Sequence, residues 1–295
     1  MDKILYGTLC QQLLDKLSYD KNHVPFRPFS QDLPRPSWST PAEWNAAIMV
    51  SKLFYFYIDE FTQQKILLFV AHFWRHDRGD PTSVSAAKTF VPTLLSSTDQ
   101  LPQVQQDYIS LLHSLSHDYN AFDIGRIFKS VVDFMSGVIA EAEFLPRISQ
   151  SPPSDGQFLR RMTGMGDAFA HLCFPRALNI PPEDYILLIP ELDNFMDHVN
   201  DVLSFYKESI VGEEAENHIL RHARLNGVSV QESVEHFMML AEQSAGNIRR
   251  LAACTPELQR VMELFLQGYI RFNTECPRYR LKECMQGIEY RWWGV

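Results

Sequence analysis

Glycine is scarce in this chain, with 13 among 295 residues. Long stretches run without glycine or proline, which favours helices over turn-rich strands. Cysteine is sparse as well: Cys10, Cys173, Cys254, Cys276 and Cys284 are odd in number and form no Cys-x-x-Cys pair, a pattern of reduced thiols in a cytoplasmic protein. Basic charge is short. A formal net charge of −9 argues against a general nucleic-acid binder, which needs a basic stripe for counterion release. No apolar run approaches the ~20 residues of a membrane span. The opening MDKILYGTLCQQLL is too short and polar for a signal peptide. There is no Walker A loop, no Gly-x-Ser-x-Gly and no His-Glu-x-x-His. Gly164-Met165-Gly166 follows no strand and is not a dinucleotide fingerprint.

What is present is helical pattern. Hydrophobic residues make up 45% of the chain, enough for a large core. Residues 20–42 carry five prolines and read as an extended lead-in. Beyond them, AEWNAAIMVSKLFYFYIDEF, QKILLFVAHFWRH, QVQQDYISLLHSLSH, IGRIFKSVVDFMSGVIAEAEF, YILLIPELDNFMDHVNDVLSFYKESI, VQESVEHFMMLAEQSAGNIRRLAA and PELQRVMELFLQGYIRFN repeat apolar residues every three or four positions. Alternating strands are absent. The one linker-like stretch, residues 146–156, is too short to force a domain boundary. One all-α domain over residues 1–295 is the economical reading.

The segment Asn200-Asp201-Val202-Leu203-Ser204-Phe205-Tyr206-Lys207-Glu208 carries the most chemistry. On an α-helix Asn200, Ser204 and Glu208 are successive i, i+4 neighbours. They offer an amide oxygen, a hydroxyl and a carboxylate, an all-oxygen set suited to magnesium. Lys207 can set a point charge beside a phosphate bound to that ion. The apolar turns before it (ILLIPELDNFMDHV) place this stripe toward an interior cavity. Pro190 either starts or kinks the helix. Two further pairs, His113 with His117 and His218 with His222, have zinc-ligand spacing but no third ligand, and read as solvated helix faces.

NDVLSFYKE resembles the second metal motif of class I terpene synthases, in wording closest to the fungal trichodiene synthase family. FLRRMTGMG resembles the segment bearing that family's diphosphate-sensing arginine, here Arg160. PRYRLKE resembles its C-terminal Arg-Tyr pair, here Arg278 and Tyr279. FKSVVDFMSGVIAE resembles the helix between the two metal motifs. The likeness runs from about residue 45 to 285, in order. It implies an all-α, single-domain helical bundle around a central active-site cavity, and a cluster of about three magnesium ions (Mg2+). It implies a prenyl diphosphate substrate, farnesyl diphosphate, whose ionisation leads to a cyclic sesquiterpene. Asn200, Ser204 and Glu208 would hold metal. Arg160, Lys207, Arg278 and the Tyr279 hydroxyl would grip the diphosphate. A homodimer is compatible with the resemblance.

The first metal motif of that family, Asp-Asp-x-x-Asp, has no full match. By position the candidate is HFWRHDRGDP, with Asp77 and Asp80. YFYIDEFTQ, with Asp59 and Glu60, is the other, about 18 residues earlier. We favour Asp77. Aromatic candidates for the cavity wall are Phe54, Phe69, Phe73, Trp74, Phe134 and Phe195. Degeneration of the first motif leaves room for a terpene transferase that couples the prenyl cation to a second molecule. A second alternative is a non-catalytic helical protein that binds a prenyl diphosphate, against which the intact Asn200, Ser204, Glu208, Arg160 and Arg278 argue.

Overall fold

A computed structural model describes residues 1–24, 27–30, 33–96, 101–144, 157–212 and 217–290. These form thirteen α-helices and, among the described residues, no strand. The linker-like residues 146–156 and the terminal RWWGV fall outside the described residues. In chain order the helices are α1 (Lys3–Lys16), α2 (Pro41–Phe54), α3 (Glu60–His76), α4 (Pro81–Ser96), α5 (Gln103–Leu115), α6 (Ala121–Ile139), α7 (Gln157–Gly164), α8 (Gly166–His171), α9 (Pro182–Tyr185), α10 (Ile189–Phe205), α11 (His218–Asn226), α12 (Val230–Ala252) and α13 (Pro256–Glu275). Two of them continue as single π-helical turns: α6 through Ala140–Phe144, and α10 through Tyr206–Ile210.

The helix starts follow local chemistry. Thr40 and Glu43 form a reciprocal capping box on α2, as do Ser229 and Glu232 on α12. Asn120 caps α6, Asn217 caps α11 and Thr255 caps α13. Pro190 lies in the first turn of α10 and begins it rather than kinking it. Between α1 and α2 the described residues contain no helix, as the prolines demand. Two apolar segments that read as continuous helices are broken. AEWNAAIMVSKLFYFYIDEF turns between Phe54 and Glu60, where the Gln63 amide donates to the Tyr55 carbonyl at 2.6 Å. YILLIPELD splits into α9 and α10.

The packing places α10 at the centre, against α8 on one side and α12 on the other, with α13 also in contact. Helix α13 lies on α2, α2 on α3, and α4, α7 and α8 on α6. Gly268 permits the α13–α2 approach, since a Cβ there would fall 1.8 Å from the Leu53 carbonyl oxygen. Buried residues from α1 to the turns after α13 join one hydrophobic cluster. Among the described residues no helix is long and apolar enough to cross a membrane.

Candidate active site

The helices enclose a cavity of about 410 Å³. Its apolar part comes from α2 (Val50, Phe54), α3 (Phe73, Trp74), α7 (Leu159), α8 (Phe169), α10 (Met196) and α13 (Tyr269, Phe272). The rings interlock. Phe54 lies 4.9 Å from Tyr269 and 5.4 Å, edge-on, from Phe272. Phe73 meets Phe169 edge-on at 5.9 Å, and Trp74 stacks on Phe272 at 6.4 Å. Of the six aromatics expected on the wall, Phe54, Phe73 and Trp74 are there. Phe69, Phe134 and Phe195 are not: each is fully buried in the core. Periodicity identifies an apolar face but does not say whether a neighbour or a void covers it.

The polar part of the cavity gathers the C-terminal ends of four helices. Asp77 caps α3, Glu141 lies in the π-turn after α6, Lys207 and Glu208 lie in the π-turn after α10, and Arg278 and Tyr279 follow α13. Helix C termini carry partial negative charge, so their convergence adds to the carboxylates in favouring cations here.

Arg160, from α7, reaches Asp201 and Asp197 at 3.2 Å each, and its contact with the Asn200 amide oxygen is a marginal 3.5 Å. Burial opposes its charge, but Asp197 and Asp201 outweigh burial and hold it firmly protonated. Asp197 itself is pushed up to about 7 by burial, with Asp193 and Asp201 adding to the rise and Arg160 opposing it. The glycine pair that matched no motif has its explanation here. A Cβ on Gly164 would meet the Arg160 guanidinium at 2.6 Å, and one on Gly166 would meet the Asp193 carboxylate at 1.9 Å. Between them Met165 takes the left-handed conformation, φ 54. The two glycines let α7 and α8 press against the acidic face of α10.

Asn200 donates its amide to the Tyr279 hydroxyl at 3.0 Å and the Asn273 amide oxygen at 3.3 Å. That leaves its oxygen for the cavity. Lys207 donates to Glu208 at 2.7 Å, and Asn217 donates to the other Glu208 oxygen at 3.4 Å. Ser204 is buried and does not line the cavity. Burial drives the Tyr279 hydroxyl well above its ordinary range, so it remains an O–H donor. The guanidinium of Arg278 is exposed at the mouth and has no partner among the described residues.

The two candidate acidic motifs occupy opposite ends of α3. Asp77 reaches the cavity and its carboxylate has no hydrogen-bond partner among the described residues. It is open to solvent through the mouth yet closely surrounded by protein. That desolvation, opposed by Arg278 and increased by Glu141, pushes it up to about 6. Asp80 turns away to cap α4, accepting the Ser83 amide at 2.7 Å. Asp59 caps the start of α3 through Thr62 at 3.0 Å, and Glu60 accepts from Ser30 at 2.7 Å. A 17-residue helix separates them from Asp77, which is about 25 Å.

His113 is exposed in the last turn of α5 and His117 is exposed in the turn that follows it, so both are solvated but only the first lies on the helix. His218 is not solvated: it lines the cavity and its Nδ1 lies 2.9 Å from Asp201. His222 turns to the Ser233 hydroxyl at 3.0 Å, so the two histidines have different partners. Among the described residues, no three His, Cys, Asp or Glu side chains converge as a metal cage. Sequence reasoning missed Glu141, Asn217 and Arg221, and it read His218 as solvated surface. Glu141 was within the quoted segment FKSVVDFMSGVIAE, but no local spacing marks it; only the fold brings it opposite Asp77.

An aromatic pit beneath converging helix ends, with the Asn200–Glu208 segment and Arg160 on its rim, is the arrangement expected of class I terpene synthases. The chain belongs to the trichodiene synthase family: the family model described as Trichodiene synthase (TRI5) matches residues 54–291. It is 29% identical over 202 residues to an (E)-beta farnesene synthase of Metarhizium brunneum, covering 66% of this chain and 61% of that relative. The chain thus spans less than two thirds of that relative's length. The structure resembles linalool/nerolidol synthase from Streptomyces clavuligerus in complex with 2-fluorogeranyl diphosphate, with a TM-score of 0.61, 13% identity, and coverage of 91% of this chain and 98% of that one. It also resembles isoprene synthase from grey poplar leaves in complex with three Mg2+ ions and dimethylallyl-S-thiolodiphosphate, at a TM-score of 0.53, 15% identity, and coverage of 92% and 55%.

Proposed function

We propose that this chain, acting as one helical unit, is a magnesium-dependent sesquiterpene synthase. It ionises farnesyl diphosphate, releases diphosphate and converts the allylic cation to a cyclic terpene. The observation that carries this is the charge balance over an apolar pit. The lining holds five carboxyl groups (Asp77, Glu141, Asp197, Asp201, Glu208), of which Asp197 is raised to about 7 and so is only partly charged, against four permanent cations (Arg160, Lys207, Arg221, Arg278). Those cations alone would not offset the carboxylates and a diphosphate together. Divalent cations are needed, and the donors present suit a hard one: carboxylate and amide oxygens, with no thiolate. Asp77, Asn200 and Glu208 would hold magnesium, with Ser204 behind the wall between the last two. When bound, the metal supplies positive charge to the leaving group. The poplar complex, with three Mg2+ ions and a thiolodiphosphate, supports this reading.

The chain's own residues do the rest. Arg278 and Lys207 set fixed positive charge at the mouth, where a diphosphate would lie. Tyr279 accepts from Asn200, which leaves its own proton to donate to a phosphate oxygen. The cavity of about 410 Å³ lies within the range of small-molecule sites, ~300–1,000 Å³. Phe54, Phe73, Trp74, Phe169 and Phe272 offer ring faces to an allylic cation and keep water away from it.

Incubation with geranyl, farnesyl and geranylgeranyl diphosphates plus magnesium tests the proposal. Diphosphate release and gas chromatography of the organic phase are the readouts. We expect a cyclic C15 hydrocarbon or alcohol from farnesyl diphosphate and no release in chelator. No release with any substrate would end the reading. Release only when a second acceptor molecule is added would reassign the chain to prenyl transfer.

A further inference from the structure

Asn200 and Glu208 both face the cavity, yet the helix between them does not stay α-helical. At ~100° per residue, an unbroken α-helix would leave Glu208 ~80° around the axis from Asn200. The π-turn from Tyr206 to Ile210 widens the helix and turns Glu208 back toward the line of Asn200.

The change of register has a visible cause. In a continuous α-helix the Tyr206 N–H would donate to the Val202 carbonyl. Instead the hydroxyl of Tyr6, from α1, stands between them. It donates to the Val202 carbonyl at 2.6 Å and accepts from the Tyr206 N–H at 3.3 Å. The ladder then resumes one residue out of step, with the Val211 N–H on the Tyr206 carbonyl at 3.0 Å. A side chain inserted into the ladder is one of the few things that break a helix without proline.

Tyr6 is held firmly in this position. It is fully buried, stacks on Tyr206 at 5.8 Å and lies 6.2 Å from Phe205. The next residue, Gly7, seats α1 directly on the C-terminal segment, where a Cβ would fall 1.9 Å from the Cys284 carbonyl oxygen. The Tyr206 hydroxyl donates to Glu283 at 3.1 Å in the same segment. The wedge is therefore braced between α10 and the Glu283–Cys284 segment, just beyond the turn that carries Arg278 and Tyr279.

We infer that Tyr6 is a positioning residue: its hydroxyl opens the α10 ladder at Val202–Tyr206 and thereby turns Lys207 and Glu208 into the cavity mouth. The inference rests on the metal and diphosphate reading given above. Without the hydroxyl, the Tyr206 N–H and Val202 carbonyl can close on each other and carry the α register forward. The carboxylate then leaves the line of Asn200.

The test is Tyr6→Phe, which keeps the ring and removes one oxygen, alongside Tyr6→4-aminophenylalanine, which returns a donor and a weak acceptor to the same place. Calorimetry with inorganic pyrophosphate in magnesium is the main readout, with circular dichroism and thermal melting as controls for folding. We expect Tyr6→Phe to bind pyrophosphate at least tenfold more weakly and to need a similarly higher magnesium concentration for half-maximal binding, at unchanged helix content. The amino variant recovers most of that loss. Equal binding by wild type and Tyr6→Phe overturns the inference, as does a folded amino variant that binds no better than Tyr6→Phe. If Tyr6→Phe melts, the amino variant decides alone: binding as wild type supports the wedge, and a folded chain without binding overturns it. Failure of the wild type to bind pyrophosphate with magnesium would instead strike the functional reading beneath.

Discussion

The two sides of the cavity mouth are built on different terms. On the α10 side nearly every candidate group is already held. Asn200 is held by Tyr279 and Asn273, Glu208 by Lys207 and Asn217, and Arg160 by Asp197 and Asp201. On the α3 side Asp77 stands without a hydrogen-bond partner, its charge disfavoured by crowding and by Glu141. A preorganised side loses little on taking a ligand, because its side chains are already ordered. On the proposed reading, the sparse side would gain its order from the cation it binds. The contrast shows how a site with one acid in place of a full Asp-Asp-x-x-Asp motif remains compatible with metal: the order resides on the opposite side.

Mutation of the α10 side should therefore have the largest effect. Asn200→Ala or Glu208→Ala should lower diphosphate release from farnesyl diphosphate by about 100-fold or more, with the thermal midpoint moved by only a few degrees. Full activity in either variant would remove that helix from the chemistry. Asp77→Asn should cost about 10- to 100-fold and be partly recovered at high magnesium, because the missing contact is one of several. Silence at Asp77 together with loss at Asp59→Asn would move the sparse side to the other end of α3.

Glu141→Gln is a finer probe. Activity should fall by about tenfold or less, and in metal-free protein the Asp77 carboxyl should drop below about 6, since one neighbouring negative charge is gone. NMR titration of that carboxyl reads it directly, and an unmoved Asp77 would separate the two acids.

Acid should weaken α3 itself. His72 is buried between Trp38 and Tyr108, and burial, with His76 adding, lowers it from 6.5 to about 3. Its folded value lies below its unfolded one, so the unfolded chain takes up the proton first. Stability is then intact above about 6.5 and falls as pH drops toward 3, at up to ~1.4 kcal/mol per pH unit. Urea melts of wild type and His72→Leu at neutral pH and near pH 5 should show the smaller acid loss in the variant; identical losses would clear His72. The smallest effect belongs to Asp80→Ala. Loss of its cap on α4 should cost about 1 kcal/mol in stability and leave diphosphate release unchanged. A drop in activity there would make Asp80 a second acid of the sparse side.

Much of the site was legible because its signals are local. The order NDVLSFYKE, FLRRMTGMG and PRYRLKE lies in short segments, and the residues quoted from them, Asn200, Lys207, Glu208, Arg160, Arg278 and Tyr279, all reach the cavity. Ser204, from the same segment, does not line it. The wall was half legible. Phe54 and Phe134 have the same apolar pattern around them, and only the packing decides that Phe54 faces the void while the Phe73 ring covers Phe134 at 4.9 Å.

The amino-acid sequence by itself determined α2, α3, α5, α6, α10, α12 and α13, through three- and four-residue apolar spacing, capping residues and prolines at helix starts. It also determined the residue types on the α10 segment. Tertiary structure alone decided which aspartate of α3 meets that segment, that Glu141 stands across from it, and that a tyrosine hydroxyl from α1 resets the α10 register. The physical reason is reach. Helical spacing relates residues within a turn or two, whereas convergence across nearly two hundred positions, as between Tyr6 and Val202, exists only once the intervening helices have packed.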